Sequence, residues 1–301
     1  MDRVVTLLST YNGEKYLQQQ LNSLYSQENV DVQIIVRDDG SNDRTHEILD
    51  CNQTEGKLTW YKGENLKPAK SFMDLVYTSP DAEWYAFCDQ DDIWLPDKLK
   101  IAIRALKECN SNRPALYYGH PRLVDSELNP LESSINTYDR MLDFYSAMIN
   151  SNATGCTMVF NKALMDLVRR EHPSFIAMHD GWLHKICILS KGNLIYDEDV
   201  HILYRQHSAN VIGSSNSIKK KFMLKVKSLR SKECIRSRTI ASLVENYSDL
   251  MSDDELATAK RVAEYKNSLS NRIRLLVDTK IKTNYLRRNV MYKLAVITGA
   301  F

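Results

Sequence analysis

The stretch Trp84-Tyr85-Ala86-Phe87-Cys88-Asp89-Gln90-Asp91-Asp92 decides the fold of this chain, because an uninterrupted apolar run ends abruptly in a cluster of carboxylates. Continuous rather than alternating apolar residues predict a strand that is buried on both faces, as in parallel sheets covered by helices. Ligands of such sheets bind beyond the carboxyl ends of the strands. The acidic residues 89–92 therefore stand where a ligand is expected.

Two earlier apolar runs, Val4–Ser9 and Val32–Val36, are each followed by turn residues and a helical pattern. The first helix is predicted over 14–27, where leucines recur at the spacing of one helix face. This alternation predicts an α/β fold with a doubly wound, mostly parallel sheet and helices on both faces. Three polar clusters then converge on one edge of the sheet: 10–12, 38–40 and 89–92.

The charges of the 301-residue chain are unevenly distributed, although the formal net charge is only +2. Acidic residues lie mostly before Asp199, whereas lysine and arginine dominate from Lys219 onward in a segment with helical periodicity. We therefore predict one domain over 1–213, in two halves divided near residue 110, and a basic α-helical appendage over 214–301. Basic and apolar residues are interleaved in the appendage, as in helices that bind an anionic membrane surface. The same pattern is equally compatible with a helix whose apolar face packs on the first domain.

Several classes of protein are disfavoured. The six cysteines are scattered without the spacing of a disulfide framework or a zinc site, which indicates a reducing compartment. No G-x-G-x-x-G follows the first strand, no P-loop motif occurs, and no recognised nucleic-acid motif accompanies the basic segment. No run has the length of a signal-peptide core or of a membrane span. We expect a cytoplasmic protein, peripheral to a membrane at most.

The cluster Asp89-Gln90-Asp91-Asp92 offers hard oxygen ligands that can hold Mg²⁺ or Mn²⁺ against a diphosphate, although a solvated acidic loop is an alternative. Asp38-Asp39-Gly40-Ser41 is a turn signature. A carboxylate at this strand end can also accept the imide N–H of uracil or thymine. We assign that role to Asp39 and a structural role to Asp38.

Three motifs in this order resemble glycosyltransferase family 2: Thr10-Tyr11-Asn12-Gly13-Glu14, Asp38-Asp39-Gly40-Ser41-Asn42-Asp43, and Asp89-Gln90-Asp91-Asp92 with its continuation to Leu99. Within that family, Met178-His179-Asp180-Gly181-Trp182 and the segment Leu203–Val211 resemble bacterial rhamnosyltransferases of surface-polysaccharide assembly. The similarity covers about residues 3–215. It implies a GT-A catalytic domain with its nucleotide-sugar half first and its acceptor half second.

The resemblance also implies roles for individual residues in an inverting, metal-dependent sugar transfer. The nucleotide is expected to contact Thr10, Tyr11, Asn12, Glu14, Asp39 and, near the ribose, Asp89. Asp91 and His207 are expected to bind the metal, Mn²⁺ or Mg²⁺, although a lone histidine is more often a plain surface or core residue. The donor or acceptor pocket is expected to contain Asp92, Trp94, His179 and Trp182.

Asp180 matches the family's general base, which removes the proton of the acceptor hydroxyl and typically contributes ~10² to 10⁴ in rate. The alternative is a helix N-cap, a role that aspartate fills well. Lys70 could reach the diphosphate as a point charge, or it could be a solvated surface lysine.

Donor and acceptor follow from the resemblance alone: rhamnose from dTDP-rhamnose, moved to a glycan or a lipid-linked acceptor. The Q-x-x-R-W motif of processive members is absent, which favours transfer of one sugar per encounter. A UDP-sugar-dependent glucosyl-, galactosyl- or N-acetylhexosaminyltransferase is an alternative on the same fold. An alternative of another class is a non-catalytic scaffold that binds nucleotide sugar or glycan, which would have no need of a base at Asp180.

Overall fold

The computed structural model describes residues 1–132, 143–151, 153–207 and 233–301. The chain divides into two compact units, each built from more than one stretch of sequence. The first unit comprises 1–137, 153–170 and 178–207, and the second comprises 138–152, 171–177 and 208–301. The boundary that we predict near residue 213 lies outside the described residues.

Strands and helices alternate through the first unit. The strands are β1 (Asp2–Thr10), β2 (Val30–Asp38), β3 (Thr59–Lys62), β4 (Trp84–Asp89), β5 (Ile93–Trp94), β6 (Ala115–Gly119), β7 (Arg122–Val124), β8 (Val159–Asn161), β9 (Asn193–Asp197) and β10 (Ile202–Arg205). The helices that the structure describes are α1 (Leu17–Tyr25), α2 (Thr45–Thr54), α3 (Lys67–Thr78), α4 (Lys98–Lys107), α5 (Phe144–Ile149), α6 (Lys162–Arg169), α7 (His179–Leu189), α8 (Ile235–Tyr247), α9 (Asp253–Ala263), α10 (Leu269–Val277) and α11 (Leu286–Thr298).

The first unit contains a seven-stranded sheet in the order β3-β2-β1-β4-β8-β6-β9. Neighbours pair in parallel except β8, which is antiparallel to both β4 and β6. The predicted mostly parallel α/β sheet flanked by helices is therefore confirmed. A separate three-stranded sheet, β5-β10-β7, was not predicted, because strands of two to four residues are too short to show a periodicity.

The core explains why the apolar runs are continuous. Val4, Val5, Leu7 and Leu8 of β1 are all fully buried, so residues pointing to opposite faces of the sheet are covered alike. The same holds in β4, where Tyr85–Cys88 are fully buried. Burial ends at the carboxyl end of β4, since Asp89 is only partly covered. The acidic cluster is thus carried by a rigid, fully packed strand.

The second unit is helical in its described part and contains α5 and α8–α11. Helix α9 begins with a capping box in which the side chains of Ser252 and Glu255 each accept the other residue's backbone N–H. The predicted C-terminal helical appendage is confirmed, whereas its most basic segment, Lys219–Lys232, lies outside the described residues. Among the helices that the structure describes, none has the length and apolar character needed to cross a membrane.

Candidate active site

The carboxyl ends of β1, β2 and β4 lie side by side at one edge of the large sheet. In their register, Thr10 stands opposite Asp38 and Ser9 stands opposite Asp89. The chain leaves β1 for β2 on one side and later returns to β1 on the other side as β4. A reversal of strand order of this kind opens a crevice in which α/β proteins bind ligands.

Gln90 joins the ends of β1 and β4. Its Oε1 accepts hydrogen bonds from the Thr10 hydroxyl at 2.6 Å and from the backbone N–H of Tyr11 at 2.8 Å. Its Nε2 donates to the Tyr11 carbonyl at 3.2 Å. Thr10 is buried by this contact, whereas Tyr11 remains 43% exposed. Of these two predicted nucleotide contacts, only Tyr11 has a side chain that is accessible to a ligand.

The loop after β1 is held against the loop after β2. The backbone N–H of Asn12 donates to the Ser41 hydroxyl at 2.8 Å. The Glu14 carboxylate accepts the backbone N–H of Arg44 at 3.1 Å, just before α2 begins. A carboxylate at this position also interacts favourably with the helix dipole. Asn12 and Glu14 thus brace the crevice in addition to any contact with a nucleotide.

Asp38 and Asp39 are adjacent but differ in their partners. Asp38 is fully buried and accepts backbone N–H groups of its own turn, which is the structural role that we expected. Asp39 is ion-paired with the buried Arg37, and its carboxylate accepts the backbone N–H groups of Leu66 at 2.9 Å and Lys67 at 3.0 Å. The predicted base-binding carboxylate is therefore anchored to the start of α3.

The carboxylates of the acidic cluster perturb one another. Burial raises the pKa of Asp89 to about 7, with further contributions from Asp91 and Asp180. Asp92 is fully buried, and burial followed by the charges of Asp91 and Asp89 holds its pKa well above the usual range. Asp180 thus lies within electrostatic reach of the acidic cluster, although it is distant in the sequence.

The structure brings together Asp91 and His207, the two residues to which the resemblance assigns metal binding. His207 Nε2 lies 2.8 Å from Asp91 Oδ2, and each side chain is 14% exposed. The imidazole stacks on the ring of Tyr16 at a centroid distance of 5.0 Å. The residues after His207 in the same motif, from Ser208 to Val211, lie outside the described residues.

Asp180 occupies the first turn of α7, and the N-cap of that helix is Met178. The N-cap alternative therefore does not describe the structure. The backbone N–H of Gly155 donates to Asp180 Oδ2 at 3.3 Å, and the side chain is partly exposed. A partly solvated carboxylate beside the acidic cluster is suitably placed to accept a proton.

Comparison with known proteins identifies the family of this chain. Residues 6–168 match the family model for glycosyl transferase family 2. The chain belongs to glycosyltransferase family 2. A dTDP-rhamnosyl transferase, RfbG of Shigella flexneri, is 30% identical over 71% of this chain and 76% of that protein. A UDP-Glc:alpha-D-GlcNAc-diphosphoundecaprenol beta-1,3-glucosyltransferase, WfgD of Escherichia coli, is 23% identical over 54% of this chain and 62% of that protein.

Solved structures of similar shape bear on the fold of this glycosyltransferase. TarS of S. aureus in complex with UDP-GlcNAc gives a TM-score of 0.58 at 17% identity, over 93% of this chain and 77% of that chain. The mannosyltransferase PcManGT from Pyrobaculum calidifontis, in complex with GDP-Man and Mn²⁺, gives 0.52 at 16% identity, over 99% and 85% of the two chains. The fold is that of the GT-A glycosyltransferases, as we expected.

Four residues expected to line the sugar or acceptor pocket of this glycosyltransferase are buried: Asp92, Trp94, His179 and Trp182. The centroid of the Trp94 ring lies 3.1 Å from Lys98 Nζ, and the His179 ring stacks on Phe72 at 3.9 Å. Burial lowers the pKa of His179 to about 4, so this imidazole is neutral at physiological pH. These side chains pack beneath the surface of the site, and their contact with donor or acceptor stays a prediction.

Lys70 is an exposed residue in the N-terminal part of α3. Asp39 accepts backbone N–H groups at the start of the same helix. Lys70 therefore keeps both of the roles considered for it, contact with a diphosphate and simple solvation.

The donor set at the acidic cluster fits a hard divalent cation. Ligand atoms of Asp89, Asp92 and Cys156 lie within 4.8 Å of one another. Asp92 Oδ2 is buried and has no nitrogen or oxygen hydrogen-bond partner among the described residues. Burial raises the pKa of the Cys156 thiol well above its usual value, so it stays protonated and is a poor ligand for Mn²⁺ or Mg²⁺. The carboxylates of Asp89 and Asp91 and the imidazole of His207 are the better ligands.

Two residues that shape this site were not predicted, Arg205 and Tyr16. Arg205 lies inside the segment Leu203–Val211 that carries the resemblance, yet its own role has no local signal. Tyr16 precedes α1 and stands apart from the three motifs. Both are recognisable only from tertiary contacts.

Proposed function

We propose that this glycosyltransferase transfers one sugar, with inversion, from a nucleoside diphosphate donor to a hydroxyl of a glycan or lipid-linked acceptor in polysaccharide assembly. The observation that carries the proposal is the proximity of Asp180 to the acidic cluster. The backbone N–H of Gly155 donates to Asp180 Oδ2 at 3.3 Å, and the sulfur of the next residue, Cys156, lies within 4.8 Å of carboxylate oxygens of Asp89 and Asp92. A catalytic base beside a diphosphate-binding cluster is what direct displacement at an anomeric carbon requires. A scaffold that only binds nucleotide sugar would not require that base.

In this mechanism the Asp180 carboxylate takes the proton of the acceptor hydroxyl as that oxygen attacks the anomeric carbon. The bond from this carbon to the diphosphate oxygen breaks, and its electron pair leaves with the diphosphate. Asp91, His207 and Asp89 would hold the divalent metal, which when bound neutralises charge on the diphosphate. Tyr11 and Asp39 would orient the base.

We favour rhamnose from dTDP-rhamnose as the donor. This choice is supported by the Shigella flexneri relative, a dTDP-rhamnosyl transferase that is 30% identical. A UDP-sugar is the second candidate, supported by the Escherichia coli UDP-Glc glucosyltransferase at 23% identity.

The test is a thermal-shift panel of dTDP, UDP, GDP and CDP with the full chain, each with and without Mn²⁺ or Mg²⁺. A ligand that binds only the native state raises its stability by about 2.7 kcal/mol at a hundred times its Kd. We expect metal-dependent stabilisation that is largest with dTDP. A UDP preference would select the second candidate, and no response to any nucleotide would overturn the proposed donor class.

A further inference from the structure

Arg205 is a buried arginine at the end of β10, two positions before His207, and only 1% of it is exposed. Its Nε donates to the carbonyl of Asp91 at 2.8 Å, and its Nη2 donates to Gln19 Oε1 at 2.7 Å. Its Nη1 donates to the carbonyl of Ser126. Burying a charged guanidinium is unfavourable unless its donors are satisfied, and here each of its nitrogens donates a hydrogen bond.

The ring of Tyr16 links Arg205 to His207. The guanidinium carbon lies 4.4 Å from the centroid of this ring, and the His207 imidazole stacks on the same ring at 5.0 Å and 29°. An arginine near an aromatic face gains a cation–π attraction that grows as water is excluded. Tyr16 is 9% exposed, so the contact is largely shielded from water.

Asp91 is contacted by both Arg205 and His207, and Tyr16 contacts both of these residues. Its carboxylate meets His207 Nε2 at 2.8 Å, and its carbonyl accepts from Arg205. The backbone N–H of Arg205 also donates to Asp92 Oδ1 at 3.1 Å. Arg205 therefore contacts both successive acids of the cluster, and through Tyr16 it supports the histidine that pairs with the first of them.

We propose that Arg205 is a positioning residue that fixes the separation and orientation of Asp91 and His207 for metal binding, with Tyr16 as the shared platform. The inference rests on the proposed metal-binding role of Asp91 and His207 and deepens it. Lysine cannot replace Arg205, because a single ammonium group lacks the planar fork that reaches three separate acceptors. Outer contacts that orient metal ligands typically change metal affinity by about 10- to 100-fold when they are removed.

The test is a titration of the full chain with Mn²⁺ in the presence of dTDP, and again with UDP, with free Mn²⁺ measured by electron paramagnetic resonance. We expect Arg205→Lys and Tyr16→Leu to weaken Mn²⁺ binding by about 10- to 100-fold. Tyr16→Phe should bind Mn²⁺ with near wild-type affinity, because it keeps the ring and the Tyr16 hydroxyl has no hydrogen-bond partner among the described residues. The melting temperature of each metal-free variant shows separately whether it folds.

Arg169→Lys is the matched control. Arg169 also donates to main-chain carbonyls, those of Val76 and Ser79, but it touches none of the proposed metal ligands in these contacts. We expect it to lower the melting temperature without changing Mn²⁺ affinity. If Arg205→Lys does not fold, the Mn²⁺ affinity of Tyr16→Leu is compared with that of Tyr16→Phe. Weaker binding by Tyr16→Leu alone then supports the proposal, and equal binding contradicts it.

The outcomes separate this inference from the proposed function. Unchanged Mn²⁺ affinity in folded Arg205→Lys and Tyr16→Leu, with affinity lost in Asp91→Asn, would overturn the role of Arg205 and leave the metal site standing. Unchanged affinity in Asp91→Asn, or no Mn²⁺ binding by the wild type, would overturn both.

Discussion

Asp180 combines two properties that a general base in a sugar transfer needs. It is partly exposed, so an acceptor hydroxyl can reach it, and it is held in the first turn of α7 by a backbone N–H bond from Gly155. Gly155 precedes Cys156, whose sulfur lies within 4.8 Å of carboxylate oxygens of Asp89 and Asp92, so Asp180 lies close to the acidic cluster. No neighbouring residue in the sequence reveals this proximity.

Replacement of Asp180 by asparagine tests the proposed base directly. Asp180→Asn keeps the shape of the side chain and an oxygen for the Gly155 N–H, but it removes the proton acceptor. We expect transfer to fall by roughly two to four orders of magnitude while nucleotide binding is retained. The measurement is the turnover number for donor consumption together with the thermal shift produced by dTDP and Mn²⁺.

The matched control for this change is Asp199→Asn, at an exposed aspartate outside the proposed site. It removes the same charge from the same structural unit, and turnover should remain near the wild-type value. Unimpaired turnover in Asp180→Asn would exclude Asp180 as the base.

The conformation of the loop after β1 requires a residue without a side chain at Gly13. A Cβ built there would lie 2.6 Å from Thr10 Oγ1 and 2.7 Å from Gln90 Oε1. Those two atoms form the hydrogen bond that joins β1 to the acidic loop. The close approach, rather than an unusual backbone angle, explains the glycine.

We therefore expect Gly13→Ala to displace Gln90 and to destabilise the fold by about 1–3 kcal/mol, the usual cost of overpacking. Nucleotide binding should weaken at the same time, because the loops at the crevice are bonded through Gln90. Urea unfolding and the dTDP thermal shift measure the two effects.

Gly56→Ala separates stability from binding. Gly56 has φ +70 and open space around it, so alanine there costs about 1–3 kcal/mol through backbone strain alone. Its dTDP shift should be unchanged. Equal nucleotide shifts in the Gly13 and Gly56 variants would contradict the role given to Gly13.

In helix α7, one residue is buried and the next is partly exposed. His179 points into the core against Phe72 and Phe87, whereas Asp180 is partly exposed. Successive helical residues are about 100° apart, so neighbours in the sequence need not share a surface. For this reason the motif that contains both residues could not show that His179 is buried.

At the scale of the whole molecule, buried histidines predict how the first unit responds to acid. Burial lowers the pKa of His179 to about 4 and that of His184 to about 3, below the unfolded value of 6.5. The unfolded chain therefore binds more protons than the native chain between pH 6.5 and these values. Each histidine by itself should lower the free energy of unfolding by about 2 kcal/mol between pH 7 and pH 5. The raised pKa of Asp89 acts in the opposite direction over the same range, so the histidine contribution is read from the difference between the wild type and a histidine variant.

Urea titrations of the wild type and of His179→Phe at pH 7 and pH 5, followed by tryptophan fluorescence, measure this difference. The four tryptophans, Trp60, Trp84, Trp94 and Trp182, all lie in the first unit, so the signal reports that unit alone. His179→Phe keeps an aromatic ring at the site, and its free energy of unfolding should fall by about 2 kcal/mol less than that of the wild type between these pH values. An unchanged pH dependence in that variant would show that His179 does not carry it.

The sequence by itself determined the fold class, the order of the principal strands and helices, and the family. These features follow from local patterns: continuous apolar runs form strands covered on both faces, and acids after such a run fall at the carboxyl edge. The roles of Asp89, Asp91 and Asp180 are implied by the resemblance to the family, and they remain predictions. Their proximity remained an expectation.

Only the tertiary structure decided which side chains face the crevice. Trp94 and His179 are buried in the packed core, and Arg37 fixes the orientation of Asp39. Arg205 contacts Asp91, which is more than a hundred residues away in the sequence. Local periodicity cannot specify such contacts, since they depend on how strands and loops from several parts of the chain pack together. Motifs therefore predicted the residues that we propose for the chemistry, whereas the residues that hold them in place became visible only in the folded chain.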